Sequence, residues 1–172
     1  MLNRGGWGNP DVLLARDAER LVVVKDFGPR SGLVRWLLGR WITGREMRAY
    51  RVLSELAAVP RLLGRLDALA LVLEYRPGVL LSRSLRGSLL PGFMDELRDA
   101  VGAMHARGVV HLDLRHRSNV LAGEDGHPVL IDFASALCFR PGGLAARLLL
   151  PWFARIDRGA LHKWAQRIEP RS

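Results

Sequence analysis

Five side chains along this sequence are of the types that bind phosphate groups and hard metal ions. Lys25 ends the apolar run LVVVKDF, Glu46 lies in a stretch with helical periodicity, and Asp113, Asn119 and Asp132 follow in that order. A lysine can neutralise phosphate charge while a glutamate on a facing helix holds its ammonium, and an aspartate can accept the proton of an attacking hydroxyl. Asparagine and aspartate supply the oxygen ligands that Mg²⁺ prefers. The residue types and their order therefore predict a phosphoryl-transfer site.

Lysine is rare in this chain, which makes its position informative. Of the 26 basic residues, 24 are arginine and only two, Lys25 and Lys163, are lysine. A compact ammonium fits between a carboxylate and a phosphate, where a planar guanidinium does not. This favours a function for Lys25 over the alternative of an ordinary surface lysine, whereas nothing in the sequence explains Lys163.

The elements that must position Lys25 are short strands. Apolar and β-branched residues alternate with polar ones, and polar or Gly-containing turns separate the runs. Lys25 lies at the end of the second predicted strand. The predicted strands and strand pairs are Asp11 to Arg16, Leu21 to Asp26, and the pair formed by residues 61–67 and 68–75.

Glu46 belongs to a predicted helix over residues 45–58, which Pro60 ends. It shares a helical face with the apolar residues Tyr50 and Leu53, so its carboxylate can point inward. Glu55 on the same helix is a competing candidate, and a solvated face is the alternative reading for either glutamate.

The other three residues surround a predicted β-hairpin in the second half of the chain. A helix is predicted from Phe93 to Arg107, followed by the loop that carries Asp113. Asn119 and Asp132 flank the strands NVLAG and VLIDF, so their side chains converge if the hairpin forms. The tail from Leu144 onward is predicted to be helical and interrupted by Pro151.

These pieces together carry a family resemblance. The runs HARGVVHLDLRHRSNVL and VLIDF resemble the catalytic loop and metal-binding strand of the protein-kinase-like superfamily. VVVKDF resembles its lysine strand, GREMRAYRVL its glutamate helix and LVLEYRPG its hinge. The compact layout is most similar to the small bacterial branch of RIO-like kinases and lipopolysaccharide-core (Kdo/heptose) sugar kinases. The resemblance covers roughly Val22 to Ala136.

The resemblance implies a reduced two-lobed α+β kinase fold, with a strand-rich N-lobe and a small helical C-lobe. The composition shift near Arg76 to Gly78 places the lobes at residues 1–76 and 77–172. The implied reaction transfers the γ-phosphoryl of ATP, with Mg²⁺, to a hydroxyl of a protein Ser/Thr or a lipopolysaccharide-type sugar. The implied roles are catalytic for Asp113 and Lys25, cofactor-binding for Lys25, Glu46, Glu74, Tyr75, Gly6 and Gly8, and metal-binding for Asn119 and Asp132.

Three departures from the family pattern bear on activity. Asp113 and Asn119 are six residues apart instead of the usual five, so either the loop holds one extra residue, which we favour, or Ser118 takes the asparagine's place. Ala134 replaces the glycine of D-F-G, and the only candidate phosphate loop is the glycine-rich segment that contains Gly6 and Gly8.

The residues leave other interpretations open. A pseudokinase or nucleotide-binding module would keep the fold without catalysis. An antibiotic phosphotransferase shares the aspartate loop but usually has a larger helical lobe. Asp113, His111 and Ser118 could suggest a hydrolase, although no nucleophile elbow surrounds Ser118.

The composition limits the structural class of the chain and its possible partners. With 49% hydrophobic and 25% charged residues, the chain is globular, not disordered or collagen-like. A net charge of +9 suits nucleic acid, an anionic membrane or phosphorylated ligands, but the arginines are scattered and no nucleic-acid motif is present, so no nucleic-acid partner is expected.

The sequence also predicts where the chain resides. The single cysteine, Cys138, excludes an internal disulfide, and neither a secretory signal nor a membrane span is recognisable. A cytoplasmic protein is therefore expected. The Trp-, Leu- and Arg-containing stretches LVRWLLGRWI and LAARLLLPWFARI could touch the inner face of an anionic membrane, or they could pack inside the lobes.

Overall fold

The structure is a computed structural model that describes residues 10–17, 20–27 and 33–168, with only the backbone for residues 33–38. Its N-terminal half contains a four-stranded antiparallel sheet in the order β1-β2-β4-β3. The strands are β1 (Asp11–Asp17), β2 (Arg20–Asp26), β3 (Leu62–Arg65) and β4 (Ala70–Glu74). All four predicted strands are therefore present, with bounds that differ by one to a few residues.

The first helix, α1, extends over Leu33–Val52, so the predicted bounds of residues 45–58 are wrong at both ends. It starts earlier because tertiary packing tolerates Gly39, which would weaken an isolated helix. A Cβ at Gly39 would lie 3.1 Å from Leu69 Cδ2, so the glycine lets α1 approach the sheet closely. The helix ends earlier because tight turns, with Leu56 N donating to Leu53 O, precede Pro60.

A second, three-stranded sheet is formed in the order β5-β7-β8, from β5 (Gly78–Leu80), β7 (Val120–Gly123) and β8 (Pro128–Leu130). The β7–β8 hairpin was predicted, but β5 was not, because its Gly- and Pro-flanked sequence resembles a loop. Gly78 is needed there, since a Cβ would lie 2.5 Å from the carbonyl oxygen of Ala122. Gly78 thus made β5 look like a loop in the sequence, although the same glycine permits the close pairing of β5 with β7.

Two helices complete the second half of the chain. Helix α2 (Phe93–Ala106) agrees with its prediction and is followed by Gly108 at a φ of 81°. Helix α3 (Leu144–Ile168) continues through Pro151, so the predicted interruption is wrong. Pro151 lacks the amide that would bond the carbonyl of Arg147, and this part of the helix is exposed, so water can satisfy that carbonyl. A two-stranded ladder of β6 (Val109–Val110) and β9 (Leu137–Cys138) links the two helices.

One hydrophobic core joins the two halves. It contains Tyr50 of α1, Leu53 directly after that helix, Leu73 of β4, Leu97 of α2 and Trp164 of α3. The architecture is a mixed α+β arrangement with a strand-rich N-terminal sheet and a helical C-terminal part. The exact division after residue 76 stays a prediction. None of the described helices is long and apolar enough to span a bilayer.

Candidate functional site

Lys25 lies at the centre of a buried ion-pair cluster that joins the two halves of the chain. Its Nζ donates to Glu46 Oε1 at 2.6 Å and to Asp132 Oδ1 at 2.8 Å. Strand β2 supplies Lys25, α1 supplies Glu46, and Asp132 follows β8. Glu46 is fully buried and Lys25 nearly so. The competing residue Glu55 lies beyond the end of α1 and is exposed.

Burial and the neighbouring charges together set the ionisation of each member of this cluster. Burial alone would lower the pKa of Lys25, but the carboxylates of Glu46 and Asp132 outweigh it and raise that pKa above its usual value. Burial raises the pKa of Glu46, against the opposing effect of Lys25. Burial acts in the same direction on Asp132, yet the ammonium prevails and lowers its pKa. Lys25 is therefore held as a cation and Asp132 as an anion.

Asp132 adopts a backbone conformation that is rare for a non-glycine residue, with a φ of 64°. Its amide donates to the Tyr50 hydroxyl at 3.3 Å. The next residue, Phe133, is fully buried, with its ring centroid 5.1 Å from that of Tyr50 and 4.8 Å from that of His111. The buried phenylalanine anchors the turn and thereby aims the Asp132 carboxylate at Lys25.

Asp113 and Asn119 form a second polar group on the loop between β6 and β7. The Asn119 amide nitrogen donates to the Asp113 carbonyl oxygen at 2.8 Å and to its carboxylate Oδ2 at 2.9 Å. Ser118 Oγ donates to Asn119 Oδ1 at 3.0 Å. The short 3-10 turn Arg117–Asn119 absorbs the six-residue spacing, so Asn119, which is buried, is the residue that contacts Asp113.

Asp113 itself is exposed, so the flanking Leu112 and Leu114 do not force it to find a buried partner. Leu114 is buried while Leu112 has a φ of 71°, and this local kink turns the aspartate outward. The hydrolase interpretation lacks its geometry, because His111 Nε2 donates to the Ile131 carbonyl oxygen at 3.0 Å instead of approaching Ser118.

Asp157 supports the Asp113 loop and was not singled out by the sequence analysis. This fully buried residue of α3 accepts hydrogen bonds from His111 N at 2.9 Å, Leu112 N at 2.8 Å and His105 Nε2 at 2.9 Å. It thus fixes the kinked backbone that precedes Asp113. A sequence signal was available, since Asp157 is the only acidic residue in α3.

A cleft of about 370 Å³ opens between the two sheets beside these groups. It is lined by the polar residues Lys25, Asp132 and Ser118 and by apolar residues such as Val23, Leu73 and Leu121. This volume and this combination of apolar and polar lining are typical of a small-molecule site.

Glu74 and Tyr75 line the rim of this cleft, and their role in binding a cofactor stays a prediction. The Glu74 carboxylate accepts the Arg61 amide at 3.1 Å, so it braces the rim. The pairing of β2 with β4 ends at Glu74, which leaves the peptide groups of Tyr75 beyond the ladder. Gly6 and Gly8 lie outside the described residues.

The donor set fits a magnesium ion bound together with phosphates. Among the described residues there is no cluster of three or more His, Cys, Asp and Glu side chains, but Mg²⁺ needs only one or two protein carboxylates when phosphates complete its shell. The Asn119 amide nitrogen is committed to Asp113, so its oxygen, which accepts Ser118 Oγ, is the atom that could act as a ligand. Asp132 is 43% exposed in its side chain and can offer a carboxylate oxygen.

Comparison with solved structures decides the fold. The chain superimposes over 97% of its length on the Rio2 kinase of Chaetomium thermophilum, described as an ADP/Mg²⁺-phosphoaspartate complex, with a TM-score of 0.67. The fold is protein-kinase-like. This kinase-like chain shares 17% sequence identity with Rio2 and spans 55% of its length. No protein-family profile and no curated protein matches the sequence.

Proposed function

We propose that this chain is an ATP-dependent phosphotransferase that uses Mg²⁺ and transfers the γ-phosphoryl group to a hydroxyl acceptor. The observation that carries the proposal is the contact of Lys25 with both Glu46 and Asp132, since Lys25 and Asp132 line the cleft. A cation held this way is prepared to bind the phosphates of a nucleotide, and Rio2 is itself described with ADP and Mg²⁺.

Different residues of the cleft would contact different parts of Mg-ATP. Val23, Leu73 and Leu121 would enclose the adenine ring, and the free peptide groups of Tyr75 would bond its edge. Lys25, oriented by Glu46, would bind the α- and β-phosphates. Asn119 and Asp132 would hold Mg²⁺, which when bound neutralises charge on the phosphates.

Asp113 would receive the proton that the reaction releases. The acceptor hydroxyl oxygen forms a bond to the γ-phosphorus, the bond to the ADP oxygen breaks, and the hydroxyl proton passes to the Asp113 carboxylate. Asn119 holds this carboxylate by Oδ2, and Asp157 fixes the backbone before it. Exposure of Asp113 leaves room for an acceptor.

The finer assignment places the chain in the small bacterial branch, as a RIO-like protein Ser/Thr kinase or a lipopolysaccharide-type sugar kinase. The support is the motif resemblance around Asp113 and Asp132. A cytoplasmic location, where ATP is supplied, belongs to the same proposal, and no nucleic-acid partner is part of it.

A second candidate is a nucleotide-binding module without catalysis. The observation that favours it is the hydrogen bond from Asn119 to Asp113 Oδ2, because it occupies one oxygen of the proposed base. Ala134 in the place of the usual glycine points the same way.

Calorimetric titration with Mg-ATP and an ADP-release assay test both candidates. We expect wild type to bind Mg-ATP and turn it over, Lys25→Met to lose binding, and Asp113→Asn to bind normally but turn over at least about 100-fold more slowly. Lys163→Met is the matched control, since Lys163 is exposed on α3. Absence of binding by wild type contradicts both candidates, and binding without turnover on protein, sugar and other hydroxyl acceptors establishes the second.

The chemistry of the phosphorylated product distinguishes a hydroxyl acceptor from a carboxylate. Because Rio2 is described with a phosphoaspartate, the chain should be incubated with γ-labelled ATP and the retained label treated with hydroxylamine. A label on serine or a sugar hydroxyl resists hydroxylamine, as we expect. A label that hydroxylamine removes is an acyl phosphate and contradicts transfer to a hydroxyl.

A further inference from the structure

The first half of α3 presents large apolar side chains to solvent. We call Leu144, Leu148, Leu149, Trp152 and Ile156 the α3 apolar face. Their exposed fractions are 71%, 67%, 48%, 66% and 40%. Exposed apolar side chains that occur singly are ordinary, but a contiguous set marks an interaction surface.

Helical spacing explains why these residues form one surface. Leu144, Leu148, Trp152 and Ile156 recur every fourth residue, which places them along one side of the helix over about 18 Å. The opposite side, with Ala154, Asp157, Leu161 and Trp164, is buried in the core. The α3 apolar face is thus the side of a firmly packed helix that nothing in the described structure covers.

The same side of α3 changes character in its second half. There the exposed residues are Arg158, His162, Lys163 and Gln166, all of them polar. The apolar side chains are therefore confined to the first half of the helix. If exposed leucines were simply tolerated on this side of α3, we would expect them along the whole helix and not only up to Ile156.

The exposed charged residues of α3's first half and of the segment that precedes it are all basic. Arg140, Arg147, Arg155 and Arg158 are exposed in this part of the chain. No acidic residue occurs between Asp132 and Asp157, and Asp157 is buried with its oxygens bonded to His105 and to backbone amides. Within the described residues, none of these four arginines forms an ion pair with a carboxylate.

We propose that the α3 apolar face docks on an anionic lipid bilayer, with α3 lying in the plane of the interface. A short apolar strip of leucines and a tryptophan, bordered by arginines and without acidic residues, is what an interfacial helix requires. The leucines and Trp152 enter the acyl boundary, while the arginines bond lipid phosphates. The proposal is independent of phosphoryl transfer, because it involves none of the cleft residues.

Sedimentation of the full chain with lipid vesicles tests the proposal. Vesicles of phosphatidylcholine alone are compared with vesicles containing about 30% phosphatidylglycerol, at low salt and at about 0.5 M salt. We expect binding to the anionic vesicles, weaker binding to the neutral ones, and loss of binding as salt screens the arginines. Trp152 should add a blue shift of fluorescence on binding.

Two sets of variants distinguish docking through the α3 apolar face from non-specific binding to vesicles. Leu148→Ser/Trp152→Ser should bind anionic vesicles at least about tenfold more weakly, since two apolar side chains no longer leave water. Leu66→Ser is the matched control, because Leu66 is 66% exposed in the turn between β3 and β4 and is not part of the α3 apolar face, so its replacement should leave binding unchanged. Arg147→Gln/Arg155→Gln removes charge without altering the apolar residues and should flatten the salt dependence.

Three results would overturn the proposal. The first is that wild type does not bind anionic vesicles. The second is that Leu66→Ser and Leu148→Ser/Trp152→Ser bind these vesicles equally, both more weakly than wild type. The third is that wild type forms a dimer in sedimentation velocity and that Leu148→Ser/Trp152→Ser abolishes this dimer. The last would assign the α3 apolar face to a second copy of the chain. Circular dichroism melts of every variant check that the fold is retained.

Discussion

Lys25 can be buried only because two carboxylates accompany it. Its Nζ contacts Glu46 and Asp132 at 2.6 and 2.8 Å, while Glu46 Oε2 has no hydrogen-bond partner among the described residues. Loss of the ammonium would leave Glu46 as an uncompensated buried charge. The three side chains therefore stabilise the fold as a group, and not through separable pairs.

Replacement of Lys25 by methionine should destabilise the protein by about 3–5 kcal/mol, because it strands the buried Glu46 carboxylate. The double variant Lys25→Met/Glu46→Leu should recover part of this loss, since it removes both charges. Urea unfolding of the single and double variants measures the difference. Lys163→Met, on the exposed side of α3, should change the free energy of unfolding by less than about 0.5 kcal/mol. Equal stability of Lys25→Met and wild type would contradict the cluster.

His111 should make stability depend on pH. Burial lowers its pKa below the ordinary value of 6.5, so below that pH the unfolded chain takes up a proton that the folded chain does not. Stability should therefore fall as pH drops below about 6.5, with a slope of up to about 1.4 kcal/mol per pH unit, and be constant above it.

Urea unfolding at several pH values, for wild type and His111→Gln, checks this slope. The hydrogen bond that His127 donates to Glu96 raises the pKa of this exposed histidine, which acts in the opposite direction, but His127 is common to both proteins and its effect cancels in the difference. The difference between the two proteins should shrink as pH falls. A difference that does not vary with pH would show that His111 is not held neutral.

At the scale of the elements, glycines decide how closely segments approach. Gly108 follows α2 with a φ of 81°, and a Cβ there would lie 2.4 Å from the Phe139 carbonyl oxygen. Phe139 N in turn donates to the Gly108 carbonyl oxygen at 2.7 Å. This contact joins the end of α2 to the segment that leads from Asp132 into α3.

Gly108→Ala should accordingly lower the melting temperature, since both the backbone conformation and the contact with Phe139 are incompatible with a side chain. We expect a loss of more than about 2 kcal/mol. Gly102→Ala is the matched control in the interior of α2, where a Cβ would meet nothing within 4 Å, and it should stabilise by about 0.5–1 kcal/mol. Thermal unfolding followed by circular dichroism distinguishes them, and a similar effect of the two substitutions would refute the argument.

The elements also show what sequence patterns predict well. The β7–β8 hairpin and α2 were predicted because their apolar periodicity is undisturbed and their ends carry Gly or turn residues. The bounds of α1, the continuity of α3 and the existence of β5 were missed because each depends on a tertiary contact or on solvent. Gly39 packs on the sheet, Pro151 faces water, and Gly78 lies against Ala122.

At the scale of the whole molecule, the residues of the candidate site were easier to predict from the sequence than Asp157, the residue that holds the loop before Asp113. Lys25, Glu46 and Asp132 could be found because their residue types are unusual in their surroundings and because their order along the chain is the one predicted for a phosphoryl-transfer site. Their contact is now seen in the structure. Asp157 could not be placed, because its partners are backbone amides 45 and 46 residues earlier in the chain.

The shared core predicts that the two halves unfold together. Trp164 of α3 is buried and its indole nitrogen donates to the Leu114 carbonyl oxygen at 2.8 Å, while α1 and β4 belong to the same hydrophobic core. Melting curves followed by tryptophan fluorescence and by circular dichroism should therefore coincide. Two separated transitions would show that the N-terminal sheet and the helical part are independent units.

The link between Lys25 and Asp132 also sets an order of events during synthesis. The two residues are 107 positions apart, whereas Lys25 and Glu46 are 21 apart. At about 5–20 residues per second, roughly 5–20 s separate the emergence of Lys25 from that of Asp132. The nascent N-terminal sheet can thus pair Lys25 with Glu46 long before translation delivers the carboxylate that completes the cluster.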